Sequence, residues 1–127
     1  MKKEVQYWLN IAEYDIETAE AMLKSGRYLY VLFICQQAIE KVLKALIVQE
    51  TEQLPPRVHD LLKLAGLAKV DVTDEEKEFL NKLSFYYLET RYPEQISDLS
   101  QSVDNDMGES YLVGSKEMLN WLKTKIV

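Results

Sequence analysis

Residues 28–50 read YLYVLFICQQAIEKVLKALIVQE. They contain no Gly or Pro and are rich in Leu, Ala, Lys, Glu and Gln, side chains that lose little freedom in a helix. As one helix they would run about 34 Å at about 1.5 Å per residue. At roughly 100° per residue, Val31, Cys35, Ala38, Ile39, Val42, Leu43, Ala45 and Leu46 share one broad face. Gln36, Gln37, Glu40, Lys41 and Lys44 fall on the other, mixed with Phe33, Ile47 and Val48. A helix apolar on most sides is covered from more than one direction. The pattern therefore predicts a central helix with the rest of the chain arranged around it.

Upstream, Val5, Trp8, Leu9, Ala12, Ile16, Ala19 and Leu23 recur at three- and four-residue steps and predict a helix from Lys3 to Lys24. Tyr7, Ile11 and Tyr14 form a second stripe beside them. Ser25-Gly26 is a stop signal, and the short turn predicts an antiparallel hairpin with the central helix. Downstream, Leu54-Pro55-Pro56 ends the central helix near Glu50 or Thr51. A short helix is expected from His59 or Asp60 to Ala68, with Asp60 suited to its start. Thr73 with Glu76 three residues on is a capping box, opening a helix that carries Phe79, Leu80, Leu83, Tyr86, Tyr87 and Leu88 and ends by Tyr92, before Pro93. Pro93 to Asp104 is polar and reads as a loop holding at most one short turn. Asn105 or Asp106 caps a last helix to about Lys125, with Tyr111, Leu112, Met118, Leu119, Leu122 and Ile126 as its apolar face. No stretch alternates with period two. The expected fold is all-α: one domain over residues 1–127, an up-and-down helical bundle of four main helices plus one short one.

The bulk composition agrees. The 127 residues are 47% hydrophobic and 28% charged, ordinary for a folded domain. The single cysteine, Cys35, excludes an internal disulfide and suits a cytoplasmic, reducing setting. No apolar run is long enough to span a bilayer. A net charge of −6 argues against broad, non-specific nucleic-acid binding, while leaving room for a local basic site.

Few residues carry chemistry. His59, the only histidine, stands in RVHDL at a helix start. Its near-neutral pKa suits acid–base work or a hydrogen bond to phosphate. The plain alternative is a loop anchor. Arg91, in YYLETRYPEQ, suits the negative end of the preceding helix, and beside Tyr86, Tyr87 and Tyr92 it also suits a phosphate with aromatic stacking nearby. Glu40 and Lys44 are an i,i+4 pair. In mid-helix they need partners if buried, and Arg91 or His59 are the candidates. No metal-ligand spacing, glycine-rich phosphate loop or nucleophile elbow occurs, and no cofactor is expected.

The marks in series are more specific than any one of them. Trp8, Leu9, Ala12, Asp15, Ala19, Met22 and Gly26 match W-L-x-x-A-x-x-D-x-x-x-A-x-x-L-x-x-x-G with Met at the last leucine. Gln36-Gln37-Ala38-Ile39-Glu40-Lys41-Val42-Leu43-Lys44-Ala45, His59-Asp60-Leu61 and Arg91-Tyr92-Pro93 follow in order. The whole resembles the HEPN (higher eukaryotes and prokaryotes nucleotide-binding) domain. The resemblance implies an all-α bundle that forms homodimers and is often encoded beside a minimal nucleotidyltransferase, the two acting as a toxin–antitoxin type pair. It also implies metal-independent ribonuclease activity in many members, through an arginine followed after four to six residues by a histidine, the sites of two protomers facing each other. Arg91 matches the arginine; the histidine positions hold Ile96, Ser97 and Asp98. Three readings follow: a nucleotide- or RNA-associated binding and partner module, a ribonuclease with a degenerate motif, or a ligand-free helical adaptor. The candidate ligand-binding residues are Arg91, Tyr92, His59, Asp60, Glu40 and Lys44. Phe33, Ile47 and Val48, with Tyr7 and Tyr14, are more apolar surface than four helices obviously cover, a second reason to expect a dimer.

Overall fold

The computed structural model describes residues 2–127. Among them the secondary structure is entirely helical: α1 (Lys2–Lys24), α2 (Tyr28–Thr51), α3 (Leu61–Leu67), α4 (Asp74–Glu89), α5 (Pro93–Ser102) and α6 (Asn105–Lys123). α2 packs against all five other helices. This is why its sequence is apolar nearly all round: Leu32, Ile39 and Leu43 are fully buried, each stabilising the fold by about 1.5–3 kcal/mol.

α1 stops where Gly26 turns left-handed (φ 78°). The Gly26 N–H bonds the Leu23 carbonyl and the Arg27 N–H bonds the Met22 carbonyl, so the helix end is closed by a paired backbone motif that favours glycine. The chain reverses there and α1 lies along α2. Asp60 caps α3, its Oδ1 accepting from the Leu62 and Lys63 N–H groups. The Thr73–Glu76 capping box is present in both directions.

Three expectations are corrected. Residues 93–102 form helix α5 rather than a loop. A proline is tolerated in a first helical turn, where its missing N–H has no partner to lose, and Ile96 and Leu99 pack against the core. The cap of α6 is Asp104, whose side chain accepts from the Met107 N–H, rather than Asn105 or Asp106. Finally, Ile47 and Val48 are buried within the chain, Val48 in a small cluster with Val5 and Ala45, and Phe33 stacks on Tyr87. Ile47 and Val48 therefore present no spare apolar surface, and Phe33 is half-buried. Exposed apolar side chains include Tyr7, Ile11 and Tyr14 on α1 and, separately, Phe85 and Leu88 on α4. No helix among the described residues is long and apolar enough to cross a membrane.

Candidate functional site

The polar groups of α2 converge on Glu40. Phe33, Gln36, Glu40 and Lys44 follow each other at three- and four-residue steps, so they form one stripe along the helix. The stripe faces the loop that carries His59 and one face of α4, where Ser84, Tyr87 and Leu88 lie at three- and four-residue steps, with Arg91 continuing the spacing just past the helix end.

Glu40 is 3% exposed. Its Oε2 accepts from Lys44 Nζ at 2.9 Å. Its Oε1 accepts from Gln36 Nε2 at 3.1 Å and lies 3.0 Å from His59 Nδ1. Burial pushes the Glu40 carboxyl up. The hydrogen bonds from Lys44, His59 and Gln36 together outweigh that push and hold it below its ordinary value. An ionised Glu40 places the imidazole proton on Nδ1 and leaves Nε2 as the other working nitrogen. Gln36 also donates to the His59 carbonyl at 2.8 Å, so one stripe fixes both the backbone and the ring of this loop. Ser84 adds a hydroxyl that accepts from the Leu61 N–H. The Lys44 ammonium completes its surroundings over the Trp8 ring, 5.6 Å from the centroid.

Toward solvent the network becomes aromatic. Tyr30 meets Phe33 edge-on, with centroids 6.0 Å apart. Phe33 stacks on Tyr87 at 4.8 Å, and His59 leans on Tyr87 at 5.3 Å. The Arg91 guanidinium lies 5.6 Å from the Tyr87 centroid. Burial first, then the Glu40 charge, raises the Tyr87 phenol above its usual value, against an opposing pull from Arg91. Beside the rings runs a groove of about 270 Å³ whose walls include Arg57, His59, Asp60, Ser84 and Leu88.

The structure thus brings Glu40, Lys44 and His59 into one hydrogen-bonded group and joins Arg91 to it through Tyr87. Asp60 borders the groove, but its carboxylate is occupied as the α3 cap. Tyr92 is 55% exposed and has no hydrogen bond or ring contact to the group among the described residues. Gln36, Tyr87, Phe33 and Arg57 belong to the site as well. The first three sit on the two helical stripes, a spacing readable beforehand. Arg57 sits on an irregular loop and gave no periodic signal. Cys35 lies apart: burial pushes its thiol up to about 11, against smaller opposing pulls from Ser115 and Lys116, which leaves it unreactive at neutral pH.

An all-helical bundle with a buried carboxylate under a histidine, an aromatic platform and an arginine defines a class, and comparison with known proteins places it. The sequence profile of the HEPN domain matches residues 5–125, and the chain belongs to the HEPN domain family. Among solved structures it is similar to TT1696 from Thermus thermophilus, at 27% identity and a TM-score of 0.80, over 97% of this chain and 98% of that one. It shares the fold of ST0689, an archaeal HEPN homologue, at 22% identity and a TM-score of 0.75, over 98% of each chain. No curated protein matches.

Proposed function

We propose that the chain is a binding and partner module for nucleotide or RNA phosphate, working as a homodimer with a minimal nucleotidyltransferase in a toxin–antitoxin type pair. The observation that carries the phosphate reading is Arg91 on Tyr87 beside His59: a guanidinium, an aromatic platform and an oriented imidazole at one surface. In a chain of net charge −6, neither Arg91 nor Arg57 forms an ion pair among the described residues. A guanidinium without a carboxylate keeps its planar donor fork for a phosphate, and the rings offer a base a stacking face. The nucleotidyltransferase partner and the toxin–antitoxin role rest on the family alone.

The Glu40–His59 pair favours a second reading, a metal-independent ribonuclease in which His59 replaces the absent motif histidine. A buried carboxylate orienting an imidazole is how acid–base histidines are commonly held. One set of experiments separates the readings. Mononucleotides and a short single-stranded RNA are titrated against the parent and Arg91→Ala in a melting assay, and cleavage of the RNA is followed on a gel. Under the binding reading, saturation at about 100 times Kd stabilises the parent by ~2.7 kcal/mol and Arg91→Ala abolishes the shift. Cleavage lost in both Arg91→Ala and His59→Ala selects the ribonuclease. No shift and no cleavage leave a ligand-free adaptor.

A further inference from the structure

α4 and α6 both pack on α2, and they meet each other through the Phe79 side chain of α4, which lies against Tyr111 and Gly114 of α6. Between them lies a groove of about 430 Å³ with Phe79, Met118 and Trp121 among its walls and Glu75, Glu76 and Glu117 along its edges. Its aromatic part is held firmly. Phe79 stacks on Tyr111, with centroids 5.2 Å apart, and lies so close to Gly114 that an added Cβ would come within 2.8 Å of the ring. An adjoining recess continues the acidic edge with Glu78 and contains one cation, Lys82.

Among the described residues, no lysine or arginine lines the main groove. Glu75, Glu78 and Glu117 are exposed and form no ion pair among the described residues. Glu75 and Glu76 answer the helix dipole at the start of α4, and Glu76 also closes the capping box. Glu117, well inside α6, has no such helix-end role. Aromatic faces edged with carboxylates attract cations through both charge and ring quadrupole. The Trp121 ring already carries one, the Lys125 ammonium at 4.7 Å from its centroid.

The geometry points to a docking groove for a basic segment of a partner protein, with Lys or Arg side chains laid against Phe79 and Trp121 and paired with Glu75 and Glu117. Carboxylates on both walls, continued by Glu78, offer anchors at intervals along the groove. That arrangement suits a chain with several cations better than one small ion. The inference is independent of the His59 site.

A fluorescein-labelled peptide of sequence KLRKLRK, titrated with the full chain and followed by anisotropy, tests it. The expected result is saturable binding that weakens about tenfold in Glu75→Gln/Glu117→Gln, each exposed pair contributing up to about a factor of five. Glu17→Gln/Glu109→Gln makes the same change in net charge at exposed positions outside the groove, and its affinity stays within about twofold of the parent. Absence of binding to the parent, unchanged binding by the groove variant, or equal loss in both variants overturns the inference. Circular dichroism confirms that both variants remain folded.

Discussion

A carboxylate midway along a helix that packs on five others is expensive to bury, by several kcal/mol if left alone. Glu40 escapes this because Lys44, Gln36 and His59 all donate to it. The arrangement has a pH signature. The folded value of Glu40 lies below its ordinary 4.5, so its ionisation favours the fold. That contribution is complete above about pH 4.5 and is lost as pH falls through the folded value. Asp15 works in the opposite sense. Burial, ahead of the opposing pull of Lys41 and with a further push from Glu40, raises its pKa. Its charged form weakens the fold at neutral pH, and acidification relieves the weakness. Urea unfolding at pH 7 and at pH 4 should therefore show a smaller acid loss in Glu40→Gln than in the parent; equal losses would mean that the network does not depend on the charge. Part of this site was legible beforehand. The Glu40–Lys44 pair follows from spacing, and the need for a buried partner follows from electrostatics. That the partner is His59 rather than Arg91 depends on the path of the loop over residues 52–60, which no periodicity dictates.

At the scale of the element, sequence served best where local chemistry is self-contained: the Gly26 stop, the Thr73–Glu76 box and the long apolar repeat of α2. It served poorly where the signal is shared with loops. α5 is made of Ser, Gln, Asp and Glu with a proline at its head, and only its packing through Ile96 and Leu99 distinguishes it from a polar connector. The ends of α2 and α3 were placed to within a residue, but not the backbone that closes them. Glu52 (φ 57°) and Lys69 (φ 58°) take the left-handed conformation without being glycine. Two glycines inside helices show how packing can reverse a propensity. Replacing a mid-helix glycine by alanine ordinarily stabilises by up to about 1 kcal/mol. At Gly66 an added Cβ meets nothing within 4 Å, so Gly66→Ala should raise the melting temperature. At Gly114 it would lie 2.8 Å from a Phe79 ring already stacked on Tyr111. Overpacking of this kind costs about 1–3 kcal/mol, so Gly114→Ala should destabilise. In a Phe79→Ala background the Gly114→Ala effect should turn favourable. A Gly114→Ala effect that keeps its sign there would show that the ring is not the obstacle.

Over the whole molecule, charge and apolar surface are segregated along α4. Its first turns carry the acidic groove shared with α6. Past its last turn stands Arg91, and on its outward face are Phe85 and Leu88, each 51% exposed. α1 exposes the other stripe, Tyr7, Ile11 and Tyr14. The proposed homodimer is best sought at one of these two, because Ile47 and Val48 are buried within the chain and Phe33 is half-buried against Tyr87. The α4 surface is the better choice. Leu88 borders the His59 groove, so pairing across a two-fold axis there would set two Arg91–His59 sites against each other, as the family's facing sites imply, and cover both leucines at once. Light scattering at micromolar concentration should then report about twice the 14.8 kDa chain mass. Leu88→Glu should reduce the particle to a monomer by placing a charge at the self-complementary contact, since like charges brought face to face cost several kcal/mol. Ile11→Glu should leave the dimer intact. The reverse pattern would move the interface to α1 and separate dimerisation from the site, and a monomeric parent would remove the dimer altogether.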